Sequence, residues 1–341
     1  MEFLHHLIEY TAQNWYTVIL SFIVVMAVLN FATSKLEGEL VVIGKKLKLP
    51  DGVRGGTFDA ISSSLPELLT VFVGLMSFGA AGLEIGIGTV SGSAIFNILI
   101  IPFFSILAYK GVKKISPEKS GVNRDTIFYL FSIIVFLLGL YFGDLLIMSI
   151  CLIGVYFGYL FVLFLDTEKN KKLSKKLVNE AFEEVKNTKI SYWTIFYSLV
   201  LIYLGVEVAV ACASFVGENL GISAMVVSLV ILAAVTSIPD TLLSVKSAKK
   251  GMINASLSNA VGSNIFDICI GLGVPIFIGV AFLGLNPKVD FAQNAPIFVF
   301  LVASVIFYYG ILQKKNIKKI DSLWFLMFYL GFLGYLVRIS V

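Results

Sequence analysis

Ten apolar stretches, most of them longer than the roughly 20 residues a helix needs to cross a hydrocarbon core, leave this chain little choice but a bundle of membrane helices. They fall at about 14–34, 56–78, 82–109, 125–142, 145–165, 192–215, 222–245, 252–283, 292–312 and 322–339. The third and eighth are long enough that they must tilt, bend or reach past the bilayer. Charged residues make up 14% of the chain, where a soluble domain carries roughly 25%. The fold expected is all-α and polytopic.

The basic residues test the count. With both termini outside, the inside loops 35–55, 110–124, 166–191, 246–251 and 313–321 hold 5, 5, 7, 3 and 4 Lys+Arg. Of the 26 Lys+Arg, only Lys288 and Arg338 then fall outside. Positive charge is retained on the inner side of membranes, and a wrong number of spans would have scrambled this sorting. Ten transmembrane helices with both ends outside follow. The N-terminus lacks the basic start of a secretory leader, and its first apolar run is too long for one.

One stretch is written twice. The first copy, about 57–102, holds S-S-S-L-P-E (Ser62 to Glu67) and then G-S-A-I-F-N (Gly92 to Asn97). The second, about 230–275, holds T-S-I-P-D (Thr236 to Asp240) and then G-S-N-I-F-D (Gly262 to Asp267). Glu67 and Asp240 are 173 residues apart, Asn97 and Asp267 are 170 apart, so about half the chain is a duplication. Each half, 1–165 and 192–341, has five spans. An odd number puts the two copies in the membrane with opposite orientation, and inverted repeats of this kind build the midplane sites of many secondary transporters. The connecting segment 166–191 mixes both signs of charge. It reads as a solvated cytoplasmic linker, too short to be a folded domain.

The chemistry is expected where the copies carry acids. A charged residue at the bilayer centre costs roughly 2.5–3.5 kcal/mol on insertion scales. Glu67, Asp240 and Asp267 all lie in apolar spans, with no Lys or Arg in the hydrocarbon to pair with them. Unpaired, they would repel one another and protonate; bound cations relieve both problems. Pro66 and Pro239 free the carbonyls of Ser62 and Val235 and are expected to break their helices beside the acids. Ser63, Ser64, Thr236 and Ser237 add hydroxyls, which makes an all-oxygen shell suited to hard cations such as Ca²⁺, Na⁺ or K⁺. Ser93 and Asn97 share a helix face, as do Ser263 and Asp267. Gly92 and Gly262 are expected to let those faces approach the acidic helices closely. Helix packing alone competes evenly with an ion-binding role for any single serine, and far less well for Asn97 and Asp267.

These motifs resemble the two alpha repeats of the cation/Ca²⁺ exchanger superfamily. They are most similar to the Na⁺/Ca²⁺-K⁺ exchanger branch and prokaryotic Na⁺/Ca²⁺ exchangers. The resemblance implies antiport by alternating access, with Ca²⁺ leaving the cytoplasm as Na⁺ enters across a plasma (inner) membrane. It implies that Glu67 and Asp240 share Ca²⁺ and Na⁺, that Ser63, Ser64, Thr236 and Ser237 are ligands beside them, and that Ser93, Asn97, Ser263 and Asp267 face them. Backbone carbonyls of Ala60 and Ala233 complete the implied set. An aspartate at the position of Asp267 goes with K⁺ dependence in that branch and also occurs in K⁺-independent relatives. The sequence departs from the family where Gly-Thr-Ser precedes the proline motif: Ser62 and Val235 stand at the glycine positions, and Ser63 at the first threonine. Ala94 replaces the asparagine of the first G-S-N, as in the K⁺-dependent branch.

A Ca²⁺/H⁺ antiporter on the same fold is the principal rival, since carboxylates also carry protons. An intramembrane aspartyl protease needs an Asp after G-L-G, but Val274 follows Gly271-Leu272-Gly273. A passive channel fits poorly with paired sites at mid-depth. No enzyme activity, cofactor, nucleic acid or obligate protein partner is expected. Cys151, Cys212 and Cys269 read as small buried hydrophobes, and His5 and His6 as solvated. Glu207 stands alone in the sixth span, where local hydrogen bonding or solvation near its outer end is expected. Glu84 and Asp144 belong to outer loops, and Trp15, Trp193 and Trp324 read as interface anchors.

Overall fold

The computed structural model describes residues 11, 14–49, 51–111, 115–169, 171–287 and 289–340. His5, His6, Lys288 and most of the lead-in before residue 14 lie outside them. Ten helices among the described residues are long and apolar enough to cross a membrane. They are α1 (Trp15–Lys46), α2 (Gly55–Phe78), α3 (Gly82–Ala108), α4 (Lys119–Phe142), α5 (Leu145–Asp166), α6 (Tyr192–Leu220), α7 (Met225–Lys249), α8 (Ile253–Ala281), α9 (Phe291–Leu312) and α10 (Lys319–Arg338). No strand occurs among the described residues. A lone antiparallel bridge from Ile115 to Ile317 ties the loop before α4 to the loop before α10.

Local chemistry sets the helix ends. Asn14 caps α1, its Oδ1 accepting from the N–H groups of Tyr16 and Thr17 at 3.1 Å. Gly143 and Gly221 end α4 and α6 in the left-handed conformation that a glycine adopts without strain. The apolar stretches locate most of these ends within a few residues, but α1 runs on to Lys46, well past the end of its apolar run. Leu36 and Gly44 are buried there, Gly44 against Arg54 and Phe58, so packing carries the helix beyond the hydrocarbon.

The layers follow from burial. Of the most apolar 18 residues of α3, 83% are buried, against 28% in α1 and α10, so α3 is the axis of the bundle. Most of the other helices join α3 in one large apolar cluster. α1 and α6 lie along each other and pack in a second cluster with Val73, Val227, Leu232 and Val235. The outward faces are apolar, as with Ile19, Ile23 and Phe31 of α1, Ile127 and Ile134 of α4, and Val299 and Ile306 of α9. Between α5 and α6 a linker helix, Lys171–Val185, leans on α1: Lys45 Nζ meets Glu184 at 2.6 Å and Lys48 Nζ sits 4.6 Å from the Phe182 ring centre. Lys45 holds the Glu184 carboxyl below its ordinary range.

Two expectations need correction. α2 and α7 do not break at their prolines; regular helix runs through Pro66 and Pro239. The irregularity comes earlier, as π-helical turns at Gly55–Asp59 and Ser228–Leu232. Hydroxyls beside these turns bond back into the helical ladder: Ser62 donates to Asp59 O at 2.8 Å and Thr236 to Leu232 O at 3.0 Å. Nor do the two glycines act alike. A Cβ at Gly92 would run into the Leu229 carbonyl and the Ala233 Cβ, so α3 and α7 touch backbone to backbone. Gly262 is buried with no atom within 4 Å of where its Cβ would be.

Candidate functional site

The two π turns start 173 residues apart, the same spacing as Glu67 and Asp240, so each acid follows a rare local geometry at the same distance. Both acids are fully buried, as is Asp267, which opens a third π turn, Asp267–Leu272, in α8. No such turn follows Asn97, which sits in regular helix. Pro102 follows Asn97 by five residues, whereas Pro275 follows Asp267 by eight.

Ser93 of α3 is the hub. Its Oγ lies 3.4 Å from both Glu67 Oε1 and Asp267 Oδ2. It accepts from Ser237 Oγ at 2.7 Å, and that hydroxyl lies 3.3 Å from Glu67 Oε1. Asn97 Nδ2 is 3.2 Å from Ser93 Oγ and 3.4 Å from Asp240 Oδ2. Ser263 donates to Asp240 Oδ1 at 3.1 Å. One continuous polar network thus joins α2, α3, α7 and α8, and it includes Glu67, Ser93, Asn97, Ser237, Asp240, Ser263 and Asp267. Ser63 and Thr236 are also buried; their hydroxyls donate back to their own helices and interact with Asp240 and Glu67, respectively. Ser63 bonds to Asp59 O at 3.1 Å and to Ala60 O at 3.4 Å, and Thr236 lies 3.4 Å from Ala233 O.

The network leaves buried oxygens open. Glu67 Oε2, Asp267 Oδ1, Asn97 Oδ1 and Ser64 Oγ have no hydrogen-bond partner among the described residues. An unpartnered buried polar atom is costly, and three carboxylates buried in one network repel one another as well. No lysine or arginine forms an ion pair with them among the described residues. No three His, Cys, Asp or Glu side chains gather into a preformed metal cluster there either. Serine and asparagine stand between the acids. The arrangement offers neutral and anionic oxygens together, which suits hard cations.

Two residues that sequence reasoning missed complete the support. Asn264, the asparagine of G-S-N, donates to Ala94 O at 2.8 Å and to Tyr129 OH at 3.1 Å, and its Oδ1 accepts from Asn97 at 3.2 Å. That contact turns the Asn97 amide so that Oδ1 stays open. A lone Asn in an apolar run was the available signal for Asn264; nothing in the sequence marked Tyr129. Toward the basic end of α8, buried Asp125 accepts from Ser258 at 2.6 Å and from Arg124 at 2.7 Å, and Arg124 also reaches Asp166 at 3.1 Å.

The remaining candidates separate. Glu207 accepts a 2.5 Å hydrogen bond from Tyr203 one turn earlier, away from the network. Cys212 and Cys269 are buried, but Cys151 is exposed, which corrects the expectation that all three pack inside. Asp144 is exposed and accepts from the Ile147 N–H at 3.0 Å, while Glu84 is partly buried within α3. Trp15, Trp193 and Trp324 are all exposed near helix ends.

A sequence profile described as "Sodium/calcium exchanger protein" matches residues 17–165 and 190–338. Sodium/potassium/calcium exchanger 1 of Gallus gallus is 39% identical over 143 residues, 41% of this chain and 22% of that protein. Sodium/potassium/calcium exchanger 5 of Homo sapiens is 34% identical over 177 residues, 50% of this chain and 35% of that protein. The match thus spans well under half the length of these relatives. Among solved structures, the H⁺/Ca²⁺ exchanger CAX superposes with a TM-score of 0.69 at 13% identity, covering 97% of this chain and 88% of that one. Native YfkE gives 0.67 at 18% identity, over 94% and 91%. The sodium-calcium exchanger NCX_Mj, soaked with Na⁺ and Ca²⁺, gives 0.62 at 23% identity, over 93% and 97%. At these identities the likeness is one of fold.

Proposed function

Because the chain belongs to the sodium/calcium exchanger protein family and is an integral membrane protein with multiple spans, we propose that it exports Ca²⁺ in exchange for imported Na⁺ by alternating access. The observation that carries this reading is the buried, base-free network of Glu67, Asp240 and Asp267 with its open oxygens. In this reading Glu67 and Asp240 bind Ca²⁺ or Na⁺ in turn. Ser63, Ser64, Ser93, Asn97, Thr236, Ser237, Ser263 and Asp267 supply further oxygens, and the carbonyls of Ala60 and Ala233 join them. The halves 1–165 and 192–341 are inverted repeats joined by the linker 166–191, with both termini outside and the basic loops in the cytoplasm. The membrane is the plasma (inner) membrane.

Bound cations neutralise the acids, so the loaded carrier can close over them. The empty site is fully charged, and closing it would strand repelling carboxylates without water. That difference enforces exchange and suppresses leak. Asp267 is the candidate for K⁺ linkage, since it adds a third charge to a site that two acids already define.

A second reading is Ca²⁺/H⁺ antiport, favoured by the fold shared with CAX. Many hydroxyls around the acids favour Na⁺, which needs oxygen ligands that a proton does not. The decisive measurement is ⁴⁵Ca²⁺ uptake into Na⁺-loaded proteoliposomes diluted into Na⁺-free buffer, with and without K⁺ and a protonophore. Na⁺-dependent uptake that survives the protonophore is expected. Uptake driven only by a pH gradient would move the assignment to Ca²⁺/H⁺ antiport.

A further inference from the structure

A cavity opens between α1, α2 and α7. Thr33, Ser34 and Glu37 of α1 line one wall, and Ser63 of α2 with Pro239 and Lys246 of α7 line the others. Its inner end is one residue from Asp240. Lys249 and Lys250 follow Lys246 within four residues at the end of α7, so the cavity lies on the basic side of the polar network. Thr33 and Ser34 are four and three residues before Glu37, which puts all three on one helix face. That face is polar, whereas Ile19, Ile23 and Phe31 of the same helix are exposed and apolar.

This location poses an electrostatic problem. A cation nearing the site from this side meets a surface rich in lysine and arginine, whose field repels it. Glu37 is the one acid on the cavity wall among the described residues, and Lys246 is the one base. Asp59 and Asp240 lie within electrostatic reach of Glu37, as do the opposing charges of Lys246 and Lys250.

We propose that Glu37 recruits cations on the basic-face approach to the exchange site, with the Lys246 charge on the same cavity opposing them. The proposal rests on the exchange reading for its cargo but not for its electrostatics, and the test separates the two. Ser34→Cys is placed in a background with Cys151, Cys212 and Cys269 replaced by alanine, in oriented vesicles. A cationic and an anionic methanethiosulfonate are applied from each side in turn. The introduced thiol should react from the basic face and not from the other, with the cationic reagent favoured. Glu37→Gln should lower the cationic-to-anionic rate ratio by about 3- to 10-fold, and Lys246→Gln should raise it. In transport, Glu37→Gln should raise half-saturating Ca²⁺ on the basic face by a similar factor and leave the opposite face unchanged.

A rate ratio indifferent to Glu37→Gln overturns the proposal, and so does an introduced thiol that reacts only from the opposite face or from neither. An equal rise in half-saturating Ca²⁺ on both faces also counts against it, because it marks a general effect on the site. If the wild type moves no Ca²⁺ in any gradient, the exchange reading fails. The rate ratio still decides the role of Glu37, because it needs no transport.

Discussion

Glu67 and Asp240 occupy equivalent places after equivalent prolines, yet the network treats them differently. Glu67 meets two serines through Oε1 alone and keeps Oε2 open, whereas Asp240 bonds on both oxygens to Ser263 and Asn97. Removing either charge takes away an anionic ligand. Ligand charge count sets affinity at oxygen sites for hard cations, so Glu67→Gln or Asp240→Asn should weaken cation binding roughly 10- to 100-fold or more and abolish Na⁺-driven ⁴⁵Ca²⁺ flux in proteoliposomes. Normal flux in either variant would remove the site. Asp267→Asn should instead change K⁺ or Na⁺ dependence more than Ca²⁺ affinity; flux curves against each cation would show this. Asn264→Ala removes the donor to Ala94 O and Tyr129 OH and frees the Asn97 amide to rotate. It should destabilise the protein by about 1–3 kcal/mol and weaken Ca²⁺ binding, read by unfolding and binding in detergent. The acids were legible in the sequence because a carboxylate in an apolar run stands out. Asn264 and Tyr129 were not, because their role depends on which oxygens they meet across helices.

At the scale of elements, α3 and α7 fit by backbone contact. A methyl group at Gly92 has no room beside Leu229 and Ala233, while Gly262 has open space. Gly92→Ala should therefore cost about 1–3 kcal/mol and spread α3 from α7, whereas Gly262→Ala should be neutral or slightly stabilising through its better helix propensity. Thermal unfolding of the two variants side by side tests the asymmetry, and equal effects would refute it. From the motifs the two glycines looked alike; their difference comes from the helices each one faces. The same holds for the prolines. A proline predicts a break in an isolated helix, but here the helix continues through both prolines and the irregular turns lie upstream of them.

At the scale of the molecule, α1 and α6 pack as a pair in a second apolar cluster, joined to the rest of the bundle through Val73, Val227, Leu232 and Val235, and the cavity opens along α1. Site and cavity belong to a bundle whose cation binding is linked to its stability. Ca²⁺ at a hundred times its Kd should stabilise the detergent-solubilised protein by about 2.7 kcal/mol, and the double variant Glu67→Gln/Asp240→Asn should show no such shift. A Ca²⁺-insensitive unfolding temperature in the wild type would count against a central cation site. Ten spans, the ends of most of them and the buried acids were determined by the sequence alone. Transfer of a segment into hydrocarbon is a local property of some twenty residues, and charge bias acts on each loop separately. The Ser93 hub, the open oxygens, the unequal glycines and the path past Glu37 were decided by tertiary structure. Each depends on atoms from helices far apart in the chain meeting within a few ångströms, and hydropathy says nothing about which faces meet.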